Sequence, residues 1–291
     1  MLPLKRRREA PEDVGRVGDS VARVSRVVLD GGQREVDVDL VAREEPLEIR
    51  VNAVAIAVVM RTPGQDEELT LGFLCTEGVV RQRSDVVSVE HCAGASNNNI
   101  INVVLSPDCH VDLNAMRRNT YASSSCGLCG KTTIDRAMQS WGRIGPSLHG
   151  AISGEILSSL PARLEHEQQV FAKTGGLHAM GLFRVTGECT VVREDVGRHN
   201  AADKVIGWAV ERGVDLSEQI MMASGRLSCE VVQKAWAAQI PVVAGISAPT
   251  SLAIEMAESA GITLIGFLRG TRMSIYTEPA RVMGAEASRG S

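Results

Sequence analysis

The sequence predicts an α/β protein: a mixed or parallel sheet with flanking helices, plus a smaller β-rich N-terminal subdomain. Three observations carry this. From residue 219 onward, short apolar runs alternate with amphipathic stretches of about 10–13 residues, the rhythm of βαβ units. Ahead of residue 106, Val- and Ile-rich segments either alternate apolar with polar or run apolar, which suits strands. The 291 residues are 44% hydrophobic and 23% charged, enough for one large domain or two modest ones.

Residues 1–20, with basic residues, Pro and Gly, read as a disordered tail. VARVSRVVLD (21–30), REVDVDLVARE (34–44) and LEIRVNAVAIAVVM (47–60) read as strands, with Asp30-Gly31-Gly32 a turn between the first two. The stretch 62–80 reads as a turn followed by a helix that starts in an acidic segment, as helix N-termini favour. SVEHCAGASNNNIINVVLS (88–106) reads as two strands around an Asn-rich loop. TTIDRAMQSW (132–141) reads as a helix. A boundary is expected within residues 141–160, where Gly, Pro and Ser cluster, dividing a β-rich region (21–150) from an α/β region (151–291). In the latter, 179–186 and 189–194 form a hairpin through Gly187-Glu188. A helix over 195–213 follows, then strand, helix, strand, helix and strand over 219–270, with 272–277 as a further strand.

Composition excludes several classes. A net charge of -4 and 3% aromatic residues argue against a nucleic-acid surface or a base-stacking platform. No apolar run is long enough to span a membrane, and the basic start has no apolar h-region behind it. The expected setting is cytoplasmic. Seven cysteines, an odd number without a secretion signal, argue against a disulfide framework. Of these, Cys75, Cys189 and Cys229 lie in apolar or amphipathic runs and read as inert thiols.

The chemistry is expected at Cys126 and Cys129. Two thiols three residues apart can reach one another, share a metal, or serve as attacking and resolving groups. Gly127 and Gly130 leave their backbone free. Lys131 and the amides of the following helix favour thiolate, the species that attacks a disulfide or persulfide sulfur. Several readings stay open. Structural zinc needs two more ligands, and His91-Cys92 and Cys109-His110 are poor chelating pairs. A thioredoxin-like dithiol would follow a buried strand, whereas polar NTYASSS comes first here. Two cysteines without a role are a third reading. Sulfur carriage fits a polar, Gly-flanked loop best, and no resident metal is expected.

A second site is expected where strands of a parallel sheet end, since ligands bind beyond their carboxyl ends. Four such junctions carry anion-recognising groups: residues 194–200, Ser224-Gly225-Arg226, residues 247–251, and residues 267–272. Helix N-termini after Gly, Ser or Thr present free N–H groups to phosphates, and Arg supplies a bidentate partner. His199, close in sequence to Asp195 and Asp203, reads first as a hydrogen-bonded structural residue and second as a proton carrier. The stretch 174–179 is Gly-rich and contains His178, a candidate for the same cleft.

SSSCGLCGK, TGGLHAMGLF, EDVGRHNAADKVIG, SGRLSCEVVQKA, IPVVAGISAPTSLAIEMAE and TLIGFLRGTRMSIYT together resemble the FdhD family, the formate dehydrogenase accessory sulfurtransferases. The resemblance is collinear over residues 44 to 282. It implies a sulfurtransferase that takes sulfur from a cysteine desulfurase as a persulfide on Cys126, with Cys129 beside it. It further implies delivery to a molybdenum cofactor bearing two molybdopterin guanine dinucleotides, the protein's cargo, before that cofactor enters formate dehydrogenase. The family's cofactor-binding stretch falls on Phe267, Leu268, Arg269, Gly270, Thr271 and Arg272. Ser224, Gly225, Arg226 and His199 are the further candidates from the sheet edge. A cytidine deaminase-like fold and a homodimer are implied as well. No His-x-Glu signature is present, so deamination is not expected. A cofactor chaperone whose cysteines are structural is the alternative.

Overall fold

The computed structural model describes residues 20–92, 98–111, 141–148 and 150–285. The expected tail, the Cys126–Cys129 loop and the helix expected over 132–141 lie outside these residues, save for Ser20 and Trp141. The fold is mixed α/β, built from three sheets and the helices that cover them.

A long hairpin comes first. Strands β1 (Val21–Asp30) and β2 (Gln33–Ala42) pair antiparallel along their whole length. Gly31 and Gly32 form the two-residue loop with φ of 52° and 82°, which only glycine adopts without strain.

A four-stranded sheet follows in the order β4-β3-β6-β5, from β3 (Glu45–Val51), β4 (Val54–Arg61), β5 (Val86–His91) and β6 (Ile100–Leu105). Leu47, Ile49, Val51, Ile101 and Val103 are fully buried beneath helix α1 (Asp66–Thr76), whose Leu69 and Leu74 complete that core.

The six-stranded sheet runs β12-β11-β10-β9-β7-β8, from β7 (His178–Arg184), β8 (Cys189–Asp195), β9 (Gln219–Ala223), β10 (Val242–Gly245), β11 (Thr263–Arg269) and β12 (Arg272–Ile275). The three central strands β9, β10 and β11 are parallel. Both flanks are antiparallel: β7 against β9 and β8, and β12 against β11. The hairpin residues 178–195 and the terminal strand thus turn a parallel core into a mixed sheet.

Helices α2 (Gly154–His166) and α3 (Phe171–Thr174) precede this sheet. Helices α4 (Arg198–Arg212), α5 (Cys229–Ala237) and α6 (Ser251–Ala260) alternate with its strands. Side chains alternate between faces with the pleat. Met221, Val243 and Leu264 meet Ala201, Val205, Val231 and Ala257 from α4, α5 and α6. Ile220, Met222, Val242 and Ala244 meet Leu157, Leu160 and Leu164 of α2.

Helix α2 begins inside the stretch 141–160 and is an element that the sequence reading did not assign. Ser153 accepts a hydrogen bond from Ile156 N and starts the helix, and Leu157, Leu160 and Leu164 then line one face. The segment 143–148 ahead of it is tied down by Arg281, which is 2% exposed. Its guanidinium donates to the carbonyls of Gly145, Ser147 and Gly261 and to Thr263 Oγ1.

Helix α1 is pressed between the four-stranded sheet and α4. The crossing works because each helix puts a glycine at the contact. A Cβ on Gly207 would be driven into the carbonyl oxygen of Glu68 and would sit 2.6 Å from Gly72 N. One on Gly72 would strike the Asp203 carbonyl. Polar groups lock the same crossing: Lys234 Nζ donates to both Asp203 carboxylate oxygens at 2.7 Å and to Thr76 Oγ1 at 3.0 Å. Burial pushes the Asp203 carboxyl above the ordinary range, with Lys234 and Thr76 pulling the other way.

Cys75, on α1, is buried, and burial pushes its thiol up to about 11. At pH 8 roughly one Cys75 in a thousand is then thiolate. Brief iodoacetamide treatment of the native protein at that pH is expected to leave Cys75 unlabelled by peptide mass spectrometry, and labelling at the rate seen in urea would refute its burial.

Candidate functional site

The carboxyl ends of β8, β9, β10 and β11 and the start of β7 open onto one edge of the large sheet. Every candidate from the second half of the chain lies along it or just beyond. Asp195 ends β8 and anchors the turn into α4. Its Oδ1 accepts from Gly197 N and Asn200 Nδ2, both at 2.9 Å, and its Oδ2 from Thr62 N at 3.1 Å. Lys204 Nζ lies 2.8 Å from Oδ2, and neither side chain has any exposed surface. The lysine also donates to the carbonyls of Thr62 and Glu194. This pair fastens the turn to the end of β4 and so fixes where Arg198 and His199 sit.

Breaking a buried pair by removing one partner strands the other charge, at a cost of about 3–5 kcal/mol. Lys204→Met is expected to lower unfolding free energy by that amount in urea titration. A loss under about 1 kcal/mol would show that Asp195 is satisfied without it.

The N-termini of α4 and α5 face each other across this edge. His199 Nε2 is 3.1 Å from Glu230 Oε2, both residues buried. Arg198 reaches toward the same carboxylate at 3.9 Å and toward Ser228 Oγ at 3.5 Å. His199 therefore pairs with neither Asp195 nor Asp203, its acidic neighbours in sequence. Those two are held by Lys204 and Lys234, and Glu230 comes from the next helix. Tertiary packing decides this: the i, i+4 spacing puts Asp203 on the same face of α4 as His199, but there it meets Thr76 of α1 and Lys234 of α5.

Ser224, Gly225 and Arg226 follow β9. Ser224 Oγ accepts from Ala179 N at 2.8 Å, tying the end of β9 to the start of β7. Gly225 lies against His178, where an added Cβ would stand 3.3 Å from Nδ1. Partial burial, and then the charges of Arg198, His199 and Arg226, hold the His178 imidazole below its usual range. Arg226 is exposed, at the mouth of this group.

At the end of β11, Phe267 has φ 52° and a partly exposed ring, with its N–H donating to Ser247 O. Gly270 turns the chain with φ 53°. Arg269 Nε donates to Ile246 O at 3.0 Å, across the end of β10. Leu268 is fully buried, so of the stretch 267–272 it faces the core rather than the edge. Thr271 and Arg272 are exposed beyond the turn.

The edge thus gathers Arg198, Arg226, Arg269 and Arg272, two histidines and two helix N-termini, with Glu230 the carboxylate paired among them. Such a surface binds anions. A cavity of about 550 Å³ opens beside it, lined by Leu164, Gln168, Phe171, His178, Ser224 and Ile246 among others. Sequence reasoning missed Glu230: it lies in a different element from His199, which it faces, and no local spacing reports that. Among the described residues no three of His, Cys, Asp and Glu gather as metal ligands. No described helix is long and apolar enough to cross a membrane.

A family model for the FdhD/NarQ family matches residues 42–283. A Mycobacterium tuberculosis protein called sulfur carrier protein FdhD is 47% identical over 254 residues, covering 84% of this chain and 92% of its own. A Sulfurisphaera tokodaii protein of the same name is 43% identical over 267 residues, covering 90% and 99%. Among solved structures, a protein from Desulfotalea psychrophila described as a formate dehydrogenase accessory protein superposes with a TM-score of 0.73 at 23% identity, over 90% of this chain and 99% of that one. With the match running from the end of β2 to the last turn beyond β12, the chain belongs to the FdhD/NarQ family.

Proposed function

We propose that this chain is a sulfur carrier in formate dehydrogenase maturation, a persulfide-bearing sulfurtransferase acting on a molybdenum cofactor. The cationic sheet edge is the observation that supports it most directly. A cofactor bearing two guanine dinucleotides presents two pyrophosphates, and four arginines beside paired helix N-termini suit that cargo. The names borne by the relatives point the same way.

In the first step the Cys126 thiolate attacks the outer sulfur of a cysteine desulfurase persulfide. A new S–S bond forms on Cys126, the old one breaks, and the desulfurase cysteine leaves as thiolate. In the second step Cys129 thiolate attacks Cys126 Sγ of the Cys126–S–SH group and expels hydrosulfide. The two thiols become a disulfide while the sulfane sulfur is reduced by two electrons, which makes it a ligand for the bound molybdenum. A homodimer working in the cytoplasm completes the proposal.

Intact mass after anaerobic incubation with a desulfurase and cysteine tests the carrier role. A cyanide-labile gain of one sulfur atom is expected. No gain with a demonstrably active desulfurase would favour a cofactor chaperone.

A further inference from the structure

The hairpin of β1 and β2 is an arm with one unpartnered face. It runs ten residue pairs, about 33 Å, and a two-stranded hairpin on its own is marginal in water. Its register sorts the side chains between two faces. Arg26, Glu35, Asp37 and Asp39 share one, where Arg26 donates to Asp39 at 2.6 Å and to Asp37 at 3.3 Å. Val27, Leu29, Val36 and Val38 share the other, with Val27 directly opposite Val36. These four side chains are between 41% and 73% exposed. Arg23 and Arg34, both exposed, flank them on the same face. A contiguous apolar stripe with a polar rim marks a surface that another protein covers.

Toward the base of the arm the same face is already engaged. Leu40 and Ala42 lie on it, partly buried, and a Cβ on Gly176 would stand 3.5 Å from Ala42 Cβ. Gly176 follows α3 and leads into His178 at the start of β7. The apolar face is therefore continuous with one wall of the anion-binding edge, and a body seated on the stripe stands beside that edge. Residues 21–41 precede the match to the family model, which begins at residue 42.

We infer that this face docks the enzyme that receives the cargo, cofactor-free formate dehydrogenase, through an apolar patch rimmed by carboxylates that pair with Arg23 and Arg34. Docking there raises the local concentration of the acceptor at the edge, so the cargo passes without crossing bulk water. This assignment rests on the cofactor-carrier reading above and adds to it where the acceptor sits.

The test is a binding titration of the full chain with purified cofactor-free formate dehydrogenase from the same source. Wild type is compared with a quadruple variant (Val27→Thr, Leu29→Thr, Val36→Thr and Val38→Thr) and with a charge-reversed one (Arg23→Glu and Arg34→Glu). Threonine keeps the strand preference while removing apolar surface. The quadruple variant should lose about 10-fold or more in affinity, the scale of one or two interface anchors, and the charge-reversed one should associate more slowly. Pyrophosphate binding, cyanide-labile sulfur loading and sedimentation coefficient should match wild type in both. Enzyme affinity that survives in both variants would overturn the assignment. A fall in sulfur loading would give the face to the desulfurase instead, and a fall in sedimentation coefficient would give it to a second copy of the chain. Wild type that binds no cofactor-free enzyme would also overturn it, and if that protein still gained cyanide-labile sulfur, the sulfur-carrier reading would stand without it.

Discussion

Cys126→Ala is expected to abolish the cyanide-labile gain of sulfur and to lower formate dehydrogenase maturation about a thousandfold or more, the scale of losing an attacking nucleophile. Pyrophosphate binding should stay within about twofold of wild type, because the hydrogen bonds described for the sheet edge run among its own residues. This combination separates a carrier from a chaperone: a chaperone would keep most maturation in the variant. Cys129→Ala should still load sulfur but release it poorly, so that persulfide accumulates during turnover. If Cys129→Ala matures the enzyme at the wild-type rate, the disulfide-forming release step is wrong, and the cofactor takes sulfur from Cys126 directly. Loading of Cys126→Ala to the wild-type level would instead move the carrier site elsewhere in the chain.

Gly207→Ala is expected to cost about 3 kcal/mol or more, at the upper end for overpacking, because the obstacle is backbone and cannot rotate away. The added methyl meets the Glu68 carbonyl and the Gly72 amide, so α1 and α4 must separate. Gly72→Ala, facing the Asp203 carbonyl, should cost as much. The double variant should cost less than the sum, since one separation relieves both clashes. Gly154→Ala is the control: it opens α2, no atom lies within 4 Å of its Cβ position, and alanine there should be neutral or stabilise by about 0.4–1 kcal/mol. Urea midpoints for the four proteins decide it. A Gly207→Ala midpoint within error of wild type would mean that the helices cross further apart than described.

The elements that were legible in the sequence are those whose signal is local. Gly31-Gly32 sits between alternating strands and becomes a two-residue hairpin loop. The alternation from Gln219 to Arg269 becomes three parallel strands with two helices between them. Helix α2 was missed because the Gly, Pro and Ser residues of 141–160 outweighed the spacing of Leu157, Leu160 and Leu164 and the cap at Ser153. The separation into three sheets, and the antiparallel strands on both flanks of the large one, depend on pairings between distant residues that no window contains. The same holds at the site. Arg226 and Arg269 could be placed at strand ends by pattern alone. That His199 faces Glu230 follows only from how α4 and α5 are set against each other, and that Asp195 belongs to Lys204 from how α4 folds back over the end of β8.

The crossing of α1 with α4 also orders events in time. Thr76 and Asp203, which share a hydrogen bond there, are 127 residues apart in the chain. A ribosome adding roughly 5–20 residues per second exposes α1 on the order of ten seconds before its partner helix exists. Through that interval the glycine face of α1 and the Thr76 hydroxyl stand open to water and to other nascent chains. The N-terminal sheet can close over one side of α1 at once, since its strands are all made by residue 105. The edge of the large sheet closes later, because the turn that carries Arg198 meets Thr62 through Asp195 and Val196 and is completed when Lys204 arrives. A chain truncated or stalled before Lys204 therefore lacks the buried ion pair that sets the turn carrying Arg198 and His199.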